Sequence, residues 1–371
     1  MAPVATHEDH TAGLQDRPNP RDQFDRSKGT SYALRSVFRR SDEGKDSNSV
    51  FRGQDSADII KYVAAIPLTL WVAGCATTSQ TKTRSVVEPW TQESFSGKRI
   101  TTEHFDVFST VRDDEFELGL PAFVEAVYRR YEATLPSPAG KGDRLSVYIF
   151  GTRFEWSSFT QRRFPHRGAL YSKIGAGGFT EKGVSVLFYV DRGATLATLA
   201  HEGWHQYVES RFDVRIPAWL NEGLACYHEA VECAGVEPVF TPQRNTFRIA
   251  AVREALQRDT LMTLSELVNT NAGEVISQDH SGITRVYYTQ AWSLVTFLRH
   301  RRAGRYAAQF NRLLQDVSDG SYAVRLSAAR LASAGKPQTS LNEVVFETYF
   351  GCAPEELADE YYDYIVRLVG Y

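Results

Sequence analysis

The run Ala200-His201-Glu202-Gly203-Trp204-His205-Gln206 sets two imidazoles four positions apart, with a carboxylate beside the first. On a helix, His201 and His205 project from one face, a turn apart. Two imidazoles so placed can ligate one zinc ion, and Glu202 is then positioned to act on a zinc-bound water. Catalytic zinc takes three protein ligands and leaves one position open. Glu222, within Trp219-Leu220-Asn221-Glu222-Gly223-Leu224-Ala225, lies 17 positions after His205 (222 − 205) and can supply the third from a second helix folded back on the first. A surface helix would also explain two solvated histidines, and a first-turn acid would explain Glu222 alone. Neither explains why the two occur together.

The flanking residues agree with a buried helix. Ala194 to Ala200 are small or apolar with no helix breaker, and Trp204, Tyr207 and Val208 carry the pattern onward. Before them, Val184-Ser185-Val186-Leu187-Phe188-Tyr189-Val190 is β-branched and aromatic, which predicts a strand ending in the turn-like Asp191-Arg192-Gly193.

These residues resemble the gluzincin metallopeptidases, in particular the small bacterial peptidase-MA-like group. His201, Glu202 and His205 match the family's H-E-x-x-H, and Asn221-Glu222-Gly223 matches its N-E-G segment. The resemblance spans about residues 168–230. It implies zinc held by His201, His205 and Glu222, with Glu202 as general base in peptide hydrolysis. It also implies a tyrosine or histidine from a later segment near the metal, for which Tyr287, Tyr288 and His280 are the candidates. An edge strand before the metal helix would hold extended substrate, placed at Gly168 to Ser172 or at Gly178-Phe179. One departure stands out: where related enzymes carry an acid one turn after the glutamate ligand, this chain has Cys226. The group that orients the histidine is therefore Glu229 or a backbone carbonyl.

The expected fold class is α+β. A small N-terminal mixed sheet with helices leads into the zincin-type active-site helix, and a mainly helical C-terminal part follows, with the α/β part at 87–210 and the helical part at 211–371. His104-Phe105-Asp106-Val107-Phe108-Ser109 alternates as a half-buried strand. Asp113 to Leu135 has helical apolar spacing with Asp113 or Asp114 as N-cap. Leu145-Ser146-Val147-Tyr148-Ile149-Phe150 reads as a second strand and Gly168 to Ser172 as a third. The loop Gly175-Ala176-Gly177-Gly178 lacks the Lys-Ser/Thr ending of a phosphate cradle. After Ala230 the chain reads as helical, with pieces at Phe247 to Leu256, Leu264 to Val268 and Tyr287 to Leu298, and a polar loop at Asn269 to Gly282.

Composition narrows the partners. Lys+Arg total 42 against 45 Asp+Glu, a net charge of −3 with no basic stripe, which argues against nucleic acid. The four cysteines, Cys75, Cys226, Cys233 and Cys352, show no C-x-x-C pairing, so a cysteine-built zinc site is not expected.

Residues 1–58 are rich in Asp, Arg, Ser, Gly and Gln and read as disordered, or as an extension upstream of the true start, with Val50 a candidate initiation site. Residues 59–75 are apolar, too short to span a bilayer, and end in Val72-Ala73-Gly74-Cys75. That ending resembles a bacterial lipoprotein box, which implies lipidation at Cys75, a flexible tether over 76–86 and anchorage in the cell envelope, at the outer membrane or periplasmic face. The reading is thus an envelope-anchored zinc metallopeptidase acting on a peptide or protein. A non-catalytic zinc-binding lipoprotein, or an amide hydrolase acting on cell-wall peptides, would use the same residues.

Overall fold

A computed structural model describes residues 83–370 except 93, 139–141, 172–173, 175–176, 233–237, 271–281, 302–303 and 333–339. The segment 1–58, the apolar stretch with Cys75, most of the tether, Cys233 and His280 lie outside the described residues, as do Gly175 and Ala176.

Short runs, the clearest alternation being in Phe105–Ser109, build one six-stranded sheet. Its strands are β1 (Val86–Gln92), β2 (Phe95–Thr101), β3 (Phe105–Ser109), β4 (Leu145–Phe150), β5 (Gly178–Glu181) and β6 (Val184–Phe188), in the order β1-β2-β3-β4-β6-β5. β3, β4 and β6 run parallel, while β1–β2–β3 and the β5–β6 hairpin are antiparallel. The parallel centre requires helical crossovers. Helix α1 (Asp114–Thr134) connects β3 to β4, and α2 (Arg153–Arg163) with α3 (Gly168–Tyr171) lies between β4 and β5. Of the two candidate caps, Asp113 is the one that caps α1, accepting from the Phe116 N–H, and Asp114 is the first residue of the helix.

Two expectations change here. Gly168 to Ser172 is not a strand: Gly168–Tyr171 forms the short helix α3. The edge beside the metal helix is instead β5, which contains the other candidate, Gly178-Phe179. The opening hairpin β1–β2 has no counterpart in the expected strands, because β1 is largely exposed and lacks a clean apolar alternation.

The C-terminal part is helical, as expected, apart from a small hairpin of β7 (Val231–Glu232) and β8 (Val239–Phe240). Helices α4 (Arg192–Arg211), α5 (Ala218–His228), α6 (Thr246–Gln257), α7 (Leu264–Asn269) and α8 (Ile283–His300) surround the metal motif. Beyond them lie α9 (Ala307–Ser318), α10 (Ser321–Ala332), α11 (Leu341–Phe350) and α12 (Ala358–Leu368). One apolar core runs from the sheet through α4, α5 and α8. No helix among the described residues is long and apolar enough to cross a membrane.

Two motif glycines are explained by packing. A Cβ on Gly223 would lie 2.5 Å from both the Ala291 carbonyl oxygen and Val295 Cγ2, so α5 can press on α8 only with hydrogen at that position. At Gly203 a Cβ would meet the Tyr131 hydroxyl at 2.7 Å, and that hydroxyl donates to the Ala200 carbonyl at 2.6 Å. Gly223→Ala is expected to force α5 and α8 apart and cost about 1–3 kcal/mol, read as a lowered midpoint in denaturant unfolding.

Candidate metal centre

Helix α4 follows β6 directly and packs back against the β5–β6 hairpin. Asp191 caps it by accepting from the Ala194 N–H at 2.8 Å. Gln206 fixes its depth by donating to the carbonyls of Ser146 and Gly183 at 2.9 and 2.7 Å. Helix α5 folds back against α4, and Trp204 Nε1 donates to Asn221 Oδ1 at 3.0 Å. The residue before Glu222 is thereby tied to the middle of the histidine helix.

This arrangement brings His201, His205 and Glu222 together. The two Nε2 atoms are 3.2 Å apart, and Glu222 Oε2 lies 3.2 Å from His205 Nε2 and 3.5 Å from His201 Nε2. Glu222 Oε2 is nevertheless buried with no hydrogen-bond partner. Three ligand atoms thus crowd together while the carboxylate oxygen receives no aimed N–H. A tetrahedral ion with bonds of about 2.0–2.1 Å separates its ligand atoms by about 3.3 Å, so the triangle fits a small divalent cation.

The electrostatics favour positive charge at this point. Burial would raise the Glu222 carboxyl, but the imidazoles of His205 and His201 override it and hold the group far below its ordinary value. Burial would lower His201, yet its contacts with the Cys226 thiol and the Glu222 and Glu229 carboxylates raise it well above the usual range. For His205 burial is likewise outweighed, chiefly by the Glu222 charge, and the pKa is raised. The Glu222 carboxylate is thus held in its charged form beside both imidazoles.

Glu229 is the orienting partner. Its Oε1 accepts from His201 Nδ1 at 2.8 Å, so that in the neutral ring Nε2, which faces the other candidate ligands, is the nitrogen left with a lone pair. Arg248 grips the same carboxylate with both arms, at 2.9 and 2.6 Å, and Asn245 Nδ2 adds a bond at 3.2 Å. Asn245 also caps α6 by accepting from the Arg248 N–H. Burial pushes the Glu229 carboxyl up, but Arg248 and then His201 bring it down to about 2. Cys226 occupies the position of the missing acid; its Sγ lies 3.8 Å from His201 Nδ1, and burial raises its thiol. The neutral thiol leaves the charge-neutralising role to Glu229, further along the chain.

Glu202 faces the edge strand. Thr180 Oγ1 on β5 lies 2.9 Å from both the carbonyl oxygen and Oε2 of Glu202. Neither Thr180 nor Arg248 stands out in the sequence. Strand alternation alone places Thr180 on one face without naming its partner. Arg248 lies outside both motifs, 43 positions after His205 (248 − 205), and its only local signal is the α6 cap at Asn245. For a site in which Glu202 acts as a base, Thr180→Val is expected to lower turnover about tenfold or more, the usual worth of a hydrogen bond to a charged group, with Thr180→Ser restoring most of it in steady-state assays.

Of the two adjacent tyrosines, the structure brings Tyr288 to the site. Its ring centre is 5.8 Å from that of His201, and burial, then the Glu222 and Glu202 charges, keep its hydroxyl protonated. Tyr287 is buried with its hydroxyl donating to the Thr270 carbonyl at 3.3 Å. His280, the third candidate, is outside the described residues.

Residues 195–318 match a family model described as a protein of unknown function (DUF1570). The match runs from within α4 to the end of α9 and takes in the three candidate ligands as well as Glu202, Glu229 and Tyr288. No curated protein matches the chain.

Proposed function

We propose that the protein is a zinc-dependent peptidase of the gluzincin type. The observation that carries this reading is the triangle of His201 Nε2, His205 Nε2 and Glu222 Oε2, close in space and with the carboxylate oxygen buried and unpartnered. Zinc bound there would supply a Lewis acid and lower the pKa of water to near neutrality.

The chain's own groups account for the rest of the reaction. Glu202, held by Thr180, takes the proton of the attacking water and returns it to the leaving amine. Tyr288 keeps its proton and can donate to the oxygen that gains charge as the carbonyl is attacked. β5 is the outer strand of the sheet, so an extended peptide can pair with its main chain beside Glu202. A site built only to bind zinc would leave the Glu202–Thr180 pair without a task.

Envelope anchorage through Cys75 is part of the proposal and rests on Val72-Ala73-Gly74-Cys75. The test of the activity is cleavage of unfolded casein by the full chain. Hydrolysis that a chelator abolishes and added zinc restores is the expected result; hydrolysis indifferent to chelator would overturn the proposal. Peptidoglycan fragments run in parallel would reveal a cell-wall amide substrate.

A further inference from the structure

A second group of chemistry-bearing side chains takes no part in the metal site. They are Arg130 on α1, next to Tyr131 whose ring centre is 5.0 Å from that of His228, His228 itself at the end of α5, and Arg299 and His300 at the end of α8, both of which meet Tyr227, the residue before His228. His228 is 1% exposed, with the rings of Tyr131 and Trp204 at 5.0 and 5.1 Å. Neither of its ring nitrogens has a hydrogen-bond partner. Arg130 Nε and Arg299 Nη1 are also buried and unpartnered. The Arg299 guanidinium lies 5.0 Å over the Tyr227 ring, whose centre is 6.0 Å from that of His228 and whose hydroxyl meets His300 Nε2 at 2.9 Å.

Among the described residues, no carboxylate forms an ion pair with Arg130 or Arg299. Burial, then the charges of Arg130 and Arg299, hold His228 well below its ordinary value and therefore neutral. Two permanent guanidinium charges remain, with unmet donors beside them. The helix dipole explains a cation in the last turn of α8, but not Arg130 on another helix or the unmet nitrogens of His228.

We infer that Arg130, His228 and Arg299 form a binding site for a tetrahedral dianion, inorganic phosphate or the phosphate group of a monoester. Such an ion matches the two guanidinium charges and offers more acceptor oxygens than a carboxylate. The assignment does not depend on the peptidase reading.

The test uses the full chain in an anion-poor amine buffer, titrated with inorganic phosphate and with glycerol phosphate, followed by calorimetry and thermal unfolding. The expected result is one saturable site per chain with a rise in melting temperature. Arg130→Gln and Arg299→Gln should each weaken binding about tenfold or more, while the exposed neighbour change Arg129→Gln leaves it intact. If either glutamine variant does not fold, Arg130→Lys, which keeps charge but loses the planar fork, should still weaken binding. Tighter binding of the ester assigns the monoester as ligand, and tighter binding of phosphate assigns the free ion. Absence of saturable binding would overturn the inference. So would binding unchanged in the arginine variants, or binding lost only in Glu222→Ala, which would place the anion on the metal.

Discussion

Replacing Glu202 with alanine is expected to leave the metal bound and to lower peptide hydrolysis by about 10²–10⁴-fold, the range supplied by a positioned general base. The carboxylate is not one of the three converging ligand atoms, so metal content should be unchanged. His205→Ala should instead lose metal and activity together. The two variants separate proton transfer from metal binding when zinc content and kcat are measured on the same preparations. Full activity in Glu202→Ala would remove the carboxylate from the mechanism.

The second large effect is expected at Glu229. Its carboxylate sits between His201 and Arg248, and both partners are mostly buried. Glu229→Ala leaves the Arg248 charge inside the protein without a counter-ion, which costs about 3–5 kcal/mol. It also releases the His201 ring, and loss of such an orienting partner typically weakens metal affinity about 10–100-fold. Chemical unfolding of metal-free protein and zinc titration read the two effects separately. A Glu229→Ala protein with wild-type stability would show that Arg248 finds another partner.

The candidate metal cluster is legible in the sequence because it depends on local spacing. His201 and His205 are one helical turn apart, and Glu222 requires only that the next helix fold back, which the Trp204–Asn221 bond achieves. The cap of α1 is legible to within one residue, Asp113 or Asp114, for the same reason, since the N–H that Asp113 accepts from is three residues away. The remainder depends on contacts between distant segments. Spacing leaves Glu229 as one of two alternatives, and only Arg248 and Asn245, holding its carboxylate against His201, decide for it. Thr180 meets Glu202 only because β5 is the outer strand beside α4. Gly168–Tyr171 reads as a strand from its short apolar run, but a four-residue apolar segment fits either element, and here it forms a helical turn after α2. Spacing also does not separate the adjacent tyrosines, because the turn of α8 decides which one faces His201.

The most direct measurement is the metal content of the purified full chain beside a Glu222→Ala variant, by mass spectrometry of the dialysed proteins. The expected result is about one zinc per wild-type chain, set by a single three-ligand site, and strongly reduced zinc in the variant. A wild-type protein devoid of divalent metal, or a Glu222→Ala protein that retains its full complement, would contradict the assignment of these three side chains to one ion.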